Sequence, residues 1–228
     1  MPDTTAARGR FITIEGPDGA GKSLQAARLV DELRSRGVDA LLSREPGGTR
    51  LGEAIRTILL TRDGPPIHPR ADALLFNAAR AQHVDEVILP ALAAGRVAVV
   101  ARYFDSTLAY QGHGRGVPLD DLRAVIRVAT AGLVPDRTIL LDLSPETGLR
   151  RKQPDEETRF EAAFDIDFHR RVRAGFLELA AAEPARYRVV DAERSADAVF
   201  ADVLRHALEA LGPLEAREAP AVPGVPGA

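Results

Sequence analysis

A glycine-rich segment, residues 16–23, has the residue types and spacing that most clearly point to chemistry. Its sequence, GPDGAGKS, fits the pattern G-x-x-x-x-G-K-[ST] and lies between a predicted strand and a predicted helix. Glycines in such a loop let backbone N–H groups turn inward around phosphate oxygens, and the start of the helix adds the positive end of its dipole. Lys22 would neutralise a transferring phosphoryl group, and the Ser23 hydroxyl would bind Mg²⁺. The motif predicts a nucleoside triphosphate site formed by Gly16, Pro17, Asp18, Gly19, Ala20, Gly21, Lys22 and Ser23.

Two classes of nucleotide-binding protein do not fit the rest of the chain. A switch-type GTPase needs an N-K-x-D element for guanine, but the only asparagine is Asn77 and Ala78 follows it. A motor or AAA-type ATPase would normally need a longer chain and a partner surface. The sequence therefore favours an enzyme that passes a phosphoryl group to a small acceptor.

Candidate acceptor-binding residues follow the ends of predicted strands. Residues 44–49 (REPGGT) follow the second strand, and residues 102–111 (RYFDSTLAYQ) follow the third. Because the carboxyl ends of parallel strands share one edge of a sheet, both segments should converge on the phosphate loop. Phe76 and Arg80, four apart on a predicted helix, share one face. An aromatic ring, arginines and hydroxyls beside a triphosphate site predict an acceptor with a ring and a phosphate.

Alternating strands and helices must position these residues. The predicted strands cover residues 11–15, 40–43, 97–100, 138–143 and 187–190, and the predicted helices cover residues 22–36, 51–60, 69–92, 119–131, 165–182 and 195–211. Residues 102–116 are expected to form an ordered loop with a short helix. This order predicts an α/β fold with a parallel sheet and helices on both faces. We expect one domain over residues 10–211, a mobile flap at 152–158, a flexible segment at 1–9 and a disordered Pro/Gly-rich tail at 212–228.

The composition limits the partners and the location of the protein. The chain has 228 residues, 30 basic and 33 acidic side chains and no cysteine. The near-neutral charge argues against nucleic acid, and the lack of cysteine excludes disulfides and thiolate metal sites. Its apolar stretches are too short to span a membrane, and its first ten residues lack an apolar signal region. We therefore expect a cytoplasmic protein with neither a nucleic-acid nor a membrane partner.

The motifs together resemble those of bacterial thymidylate kinases. The segments that carry the resemblance are EGPDGAGKS, REPGGT, LLFNAAR, RYFDSTLAYQGHGRG and FLELA, and the match runs from about residue 11 to residue 211. The resemblance implies a P-loop kinase fold, with a five-stranded parallel sheet and a small lid at about residues 150–160. It also implies transfer of the γ-phosphoryl group of ATP to dTMP with Mg²⁺, and a homodimer.

The resemblance assigns roles to individual residues. Asp18 would hold the deoxyribose 3′-hydroxyl, and Tyr110 would crowd the 2′ position. Phe76 would stack on thymine, while Arg80 and Thr107 would address its polar edge. The dTMP-binding set implied in this way is Asp18, Arg44, Phe76, Arg80, Arg102, Thr107, Tyr110 and Gln111, with Arg44 and Arg102 on the monophosphate. The implied catalytic set is Lys22, Arg102 and the lid-flanking arginines Arg150, Arg151 and Arg159, because Gly19 occupies the loop position where some family members carry an arginine.

The chain departs from the family pattern at the end of its third strand. Where family members have Asp-Arg-Tyr or Asp-Arg-His, this sequence has Ala101-Arg102-Tyr103. Loss of an acidic group beside the metal suggests reduced turnover, unless Glu15 or Asp105 compensates; Asp142 belongs to the next strand. Two alternatives remain open, namely a kinase for another small nucleotide and a nucleotide-binding protein with little catalysis.

Overall fold

A computed structural model describes residues 8–61, 63–151 and 164–212. The predicted flexible N-terminus, most of the predicted lid and the predicted tail fall on residues 1–7, 152–163 and 213–228, which lie outside the described residues. Within the described part, no helix is both long enough and apolar enough to cross a bilayer.

Five parallel strands form the central sheet. They are β1 (Phe11–Glu15), β2 (Ala40–Arg44), β3 (Val97–Ala101), β4 (Arg137–Asp142) and β5 (Tyr187–Asp191), in the order β2-β3-β1-β4-β5. The register pairs Ile14 with Ala101 on one side and with Ile139 on the other. The carboxyl ends of β1 and β3 therefore lie side by side, as the predicted fold requires.

Helices follow the strands in chain order. They are α1 (Lys22–Ser35), α2 (Arg50–Leu60), α3 (Pro69–His83), α4 (Leu89–Ala93), α5 (Phe104–Thr107), α6 (Leu119–Thr130), α7 (Pro145–Arg151), α8 (Ile166–Ala182) and α9 (Ala196–Leu211). Two π-helical segments, Val84–Ile88 and Leu108–Gly114, continue α3 and α5. The predicted helix over residues 69–92 is thus helical along its length, with a π segment where α3 passes into α4.

Apolar side chains pack on both faces of the sheet. On one face Ile12, Val99 and Leu141 pack with Leu29 and Val203, which belong to α1 and α9. On the other face, alternate strand residues such as Val100 and Leu140 pack with the aromatic rings of α8. Because side chains alternate along a strand, a strand covered on both faces must be nearly continuously apolar, as β1, β3 and β4 are. The edge strands β2 and β5 also carry exposed side chains.

The segment after β3 is more regular than its sequence suggests. We expected an ordered loop with a short helix over residues 102–116, but the backbone is helical from Phe104 to Gly114. The Arg115 N–H donates to the Tyr110 carbonyl at 3.0 Å, five residues back. Burial of Leu108, Tyr110 and neighbouring residues stabilises this helix although glycines and polar side chains predict a loop.

Candidate active site

A cavity of about 490 Å³ opens at the carboxyl edge of the sheet. It is lined by Asp18, Gly19, Gly21, Lys22, Ser23 and Leu24; by Glu45, Pro46, Arg56, Leu60 and Phe76; and by Arg102, Ser106, Thr107, Tyr110, Gln111 and Arg151. The phosphate loop and the predicted acceptor side therefore share one space. Most of the residues that the sequence singled out meet here.

The phosphate loop is held tightly against its surroundings. The Lys22 ammonium donates to the carbonyls of Gly16 at 2.9 Å and Pro17 at 2.6 Å, so it lies across the inside of the loop. Gly19 has a φ of +76°, and a Cβ there would lie 2.1 Å from the Gly148 carbonyl oxygen of α7. Only glycine satisfies both the backbone conformation and this close approach. Gly16, Pro17 and Ala20 complete the loop without lining the cavity.

Asp18, Arg102 and Tyr110 form one hydrogen-bonded cluster in the cavity wall. One carboxylate oxygen of Asp18 accepts from the Arg102 guanidinium, and the other accepts from the Tyr110 hydroxyl at 2.7 Å. Burial and the Asp18 charge raise the pKa of Tyr110 well above its usual value, so its hydroxyl keeps its proton. Burial alone would lower the pKa of Arg102, but the Tyr110 and Asp18 oxygens raise it overall. The cluster presents a fixed cation and a fixed carboxylate to a ligand.

Glu15 supports the turn that carries Arg102. Its buried carboxylate accepts from the Tyr103 N–H at 2.6 Å and from the Ser106 hydroxyl at 2.6 Å. These bonds hold the backbone where Arg102 adopts an unusual φ of +67°. Burial, and next the charge of Asp105, raise the pKa of Glu15 to about 7.

The two carboxylates considered as substitutes for the missing aspartate lie elsewhere. Glu15 is turned toward the backbone after β3, and Asp105 forms a buried ion pair with Arg186 at 2.7 Å. Neither belongs to the set of described residues that line the cavity. Compensation by Glu15 or Asp105 is therefore not supported, because both carboxylates are committed to structural contacts.

Arg80 lies beneath the cavity rather than in its wall. Only 1% of its surface is exposed, and it donates to Glu45 Oε2 at 2.8 Å and to Thr107 Oγ1 at 3.1 Å. It also donates to Asn77 Oδ1 at 2.8 Å and to the Tyr103 carbonyl at 3.0 Å. The predicted pair of Arg80 and Thr107 is thus brought together, with Thr107 facing the cavity beside Phe76.

Arg56, for which the sequence predicted no role, lines the large cavity, whereas the predicted phosphate-binding residue Arg44 does not. Arg44 does not line the large cavity, because its half-exposed side chain pairs with Glu53 at 3.2 Å. Arg56, on α2, does line it and donates to the Pro46 carbonyl at 2.8 Å. Burial, and then the positive charges of Arg44 and Arg102, lower the pKa of Arg56. Crowded guanidinium groups of this kind form a site for an anion.

Comparison with known proteins matches this arrangement to one family. A thymidylate kinase family model matches residues 14–203. The chain is 50% identical over 197 residues to a thymidylate kinase of Solidesulfovibrio magneticus, covering 83% of this chain and 94% of that one. It is also 50% identical over 200 residues to a thymidylate kinase of Deinococcus radiodurans, covering 86% and 95%.

The chain belongs to the thymidylate kinase family. The crystal structure of a thymidylate kinase from Ehrlichia chaffeensis superposes with a TM-score of 0.73 at 30% identity, covering 89% of this chain and 99% of that one. The fold class predicted from the sequence is confirmed, and the protein is a nucleoside-monophosphate kinase.

Of the two expected lid arginines that the structure describes, one lines the cavity. Arg151, at the end of α7, lines it and donates to the carbonyls of Ala192 at 2.9 Å and Glu193 at 3.3 Å. The exposed Arg150 donates to Thr147 Oγ1 at 2.9 Å and is not part of the lining. Arg159 lies outside the described residues.

The residues near the phosphate loop offer few metal ligands, which fits a metal ion bound mainly by the phosphates of the substrate. No three His, Cys, Asp or Glu side chains group as a metal site in the described ranges. Ser23 borders both the large cavity and a smaller one of about 400 Å³, whose wall includes Arg44 and Ala101. A single hydroxyl beside a triphosphate site suits Mg²⁺, which keeps several waters and binds substrate phosphates. Asp142, at the end of β4, pairs with Arg173 at 2.7 Å instead.

Proposed function

We propose that this kinase transfers the γ-phosphoryl group of ATP to dTMP, giving ADP and dTDP, in the cytoplasm. The supporting observation is that one cavity is lined both by the phosphate loop and by Phe76, Arg56 and Arg102. A donor and an acceptor nucleotide can meet there with their phosphates between Lys22 and Arg102.

The chain's own residues would act by positioning and by neutralising charge. The acceptor phosphate is ionised near neutral pH, so the reaction needs no strong general base, and catalysis rests on alignment and electrostatics. Lys22, Arg56 and Arg102 would hold the phosphates in line, and Arg151 would approach from the α7 side. Mg²⁺, held by Ser23 and by phosphate oxygens, would offset developing negative charge. Arg159 stays a proposed contributor.

The acceptor contacts proposed for dTMP follow from the placement of each side chain. Asp18 and Tyr110 share a hydrogen bond, so one place in the cavity can hold a 3′-hydroxyl and exclude a 2′-hydroxyl. Phe76 would stack on the base, with Thr107 and Gln111 at its polar edge, and Arg80 would act from beneath by holding Thr107. We propose Arg56 in the phosphate-binding role that the sequence suggested for Arg44, because Arg56 is the one that lines the cavity.

Ala101 supports a second candidate function, a nucleotide-binding protein with little catalysis. Ala101 ends β3 and borders the smaller cavity together with Ser23, so an acidic group is lacking beside the proposed metal ligand. On this argument substrate binding survives and turnover is reduced.

One assay separates these functions. ADP release is measured with ATP, Mg²⁺ and each of dTMP, dUMP, dCMP and AMP, for the wild type and for Ala101→Asp. We expect turnover with dTMP, at most weak turnover with dUMP, and a higher kcat in Ala101→Asp. Binding of dTMP without turnover in either protein would favour the second function, whereas preference for another nucleotide would overturn the proposed acceptor site.

We also propose that the kinase is a homodimer. The support is a set of exposed apolar side chains on α2, α3 and α6, which include Ile58, Leu74 and Val128. If these side chains form one contiguous patch, it would be of the kind that marks a protein–protein interface.

A further inference from the structure

The amide of Gln111 in the cavity wall is fixed by a buried ion pair. Gln111 is 1% exposed, and its Nε2 donates to Asp72 Oδ2 at 2.9 Å. Asp72, in the first turn of α3, is fully buried, and Arg115 Nη1 lies 3.2 Å from the same oxygen. Arg115 is itself anchored, since its Nη2 donates to the Ile67 carbonyl at 2.9 Å.

The hydrogen bond to Asp72 decides which end of the Gln111 amide faces the cavity. A carboxylate only accepts hydrogen bonds, so Asp72 must be met by the amide nitrogen of Gln111 and not by its oxygen. The oxygen, Oε1, is then the atom that Gln111 presents to the cavity. Among the residues that the structure describes, no hydrogen bond engages Oε1. This side chain therefore offers an acceptor to a ligand.

Thr107, four residues earlier on the same helical stretch, has the opposite polarity. Its Oγ1 accepts from Arg80 Nη1 at 3.1 Å, and a guanidinium only donates. The hydroxyl hydrogen of Thr107 is thus left to donate to the cavity that Thr107 lines. Arg80 is held by the buried carboxylate of Glu45 at 2.8 Å. The cavity wall thus presents a hydrogen-bond donor, Thr107, and a hydrogen-bond acceptor, Gln111. A buried ion pair holds each of them in this orientation.

We propose that Asp72, held by Arg115, is a positioning residue that fixes the Gln111 carbonyl toward the acceptor nucleotide and so makes the cavity select a 4-oxo pyrimidine with an N3 hydrogen. In such a ring the 4-oxo group accepts a hydrogen bond, which the Thr107 hydroxyl can donate. The adjacent N3–H donates one, which the Gln111 carbonyl can accept. In cytosine the 4-amino group donates and N3 accepts. Thr107 would then face a donor with a donor, and Gln111 would face an acceptor with an acceptor. This inference rests on the proposed function and names how its base is chosen.

Asp72→Asn tests the inference, because an asparagine can both donate and accept. The Gln111 amide is then free to turn and present its nitrogen. The substrates are dTMP and 5-methyl-dCMP, which share the methyl group and differ only in the polarity of the base edge. We measure kcat and KM with ATP and Mg²⁺, and binding of each nucleotide in the absence of ATP.

We expect the substrate specificity to change, mainly through the KM values of the two nucleotides. The ratio of kcat/KM for dTMP over 5-methyl-dCMP should fall by about 10- to 100-fold in Asp72→Asn, the range for one mispaired buried hydrogen bond. Part of this fall should come from a higher kcat/KM for 5-methyl-dCMP. A loosened fold would not improve any substrate. Asp72→Glu keeps an acceptor-only partner and should preserve the preference for dTMP. Asp85→Asn, an exposed carboxylate after α3, controls for the charge change.

A second variant keeps the inference testable if Asp72→Asn does not fold. Gln111→Met leaves the Asp72–Arg115 pair intact and removes the amide. Binding of dTMP should weaken about 10-fold, while binding of 5-methyl-dCMP should not weaken. An unchanged ratio in folded Asp72→Asn, or equal weakening of both nucleotides in Gln111→Met, overturns the inference and leaves dTMP kinase activity standing. A wild type that does not phosphorylate dTMP overturns the proposed function and this inference with it.

Discussion

At the scale of single residues, Arg56 is the side chain whose proposed role differs most from the sequence expectation. Its guanidinium lines the cavity, and burial together with Arg44 and Arg102 lowers its pKa. An anion would relieve this repulsion. Arg56→Met should therefore raise the KM for dTMP by about 10- to 100-fold, the range for a charge-assisted contact, with little change in the KM for ATP.

Steady-state kinetics on both substrates measure this effect. Arg50→Met is the matched control, because Arg50 starts the same helix and is exposed. An unchanged KM for dTMP, or an equal rise for ATP, would show that Arg56 does not contact the acceptor.

From the sequence, Arg44 was expected on the acceptor phosphate, and no role was expected for Arg56. Arg44 ends β2, and its side chain falls beside the smaller cavity and Glu53. Arg56 lies within α2, and the rotation of that helix decides whether it faces the cavity. Rotation depends on how Ile55 and Leu59 pack, which is a tertiary property. The available signal in the sequence was that Arg56 directly follows Ile55 on the buried face of α2, which could have suggested that it faces the site.

Glu15 makes stability depend on pH in a direction opposite to that of most carboxylates. Its pKa is about 7 in the folded protein, whereas a glutamate in the unfolded chain titrates near 4.5. The folded state thus holds this proton more tightly. The stabilisation is complete below pH 4.5 and is lost as the pH rises to about 7.

Glu15→Gln should remove this dependence. Between pH 5 and pH 8 the free energy of unfolding of the wild type should fall by about 2 to 3 kcal/mol more than that of Glu15→Gln. Urea denaturation at the two pH values measures the difference. Parallel stability profiles for the two proteins would contradict the raised pKa.

At the scale of elements, α7 packs against the phosphate loop through two glycines. A Cβ on Gly148 would lie 2.2 Å from the Asp18 carbonyl, just as one on Gly19 would meet Gly148. The backbones can approach this closely only without side chains. Gly148→Ala should displace the loop, raise the KM for ATP by at least about 10-fold and lower Tm by several degrees.

Gly64→Ala provides the control for Gly148→Ala. A Cβ on Gly64 would lie 3.2 Å from the Thr61 carbonyl, and this residue does not line the cavity. We expect nearly wild-type kinetics and Tm. If Gly148→Ala behaves in the same way, the contact between α7 and the loop does not set the loop's shape.

Element boundaries were mostly predictable, and the main error has a physical cause. Strands such as Val97–Ala101 are apolar on both faces, so their sequences stand out. The helical stretch Phe104–Gly114 was missed because its glycines and polar residues predict a loop. Its helix is stabilised by burial against α8, which a local pattern does not contain.

At the scale of the whole molecule, the sequence predicted the fold class but not the strand order. Every strand alternates with a helix, so a parallel sheet covered on both faces follows from the pattern. The polar residues of β2 and β5 suit edge strands, but nothing in a single strand's sequence says which strand lies beside it, so the order β2-β3-β1-β4-β5 was not predictable. The same order places the phosphate loop between the ends of β3 and β4, where the cavity opens.

The proposed homodimer is a property of the whole molecule, and the surface proposed for it, on α2, α3 and α6, can be tested. Helix α3 packs against both α2 and α6, so the exposed side chains of Leu74 (56%) and Val128 (82%) lie on neighbouring elements. If this surface joins two copies, a charge on each side chain would be buried and unpaired. The double variant Leu74→Glu/Val128→Glu should therefore sediment as a monomer, while the wild type sediments as a dimer.

Thermal unfolding adds a second readout for the same pair. In a monomer, substitutions at exposed positions change stability by less than about 0.5 kcal/mol, so the Tm would hardly move. In a dimer, loss of the partner should lower the Tm and make it independent of protein concentration. Val189→Glu is the matched control, because Val189 is also exposed (49%) but lies on β5, at the opposite edge of the sheet from β2. A monomeric wild type, or a double variant that remains dimeric, would show that α3 and α6 do not form the interface.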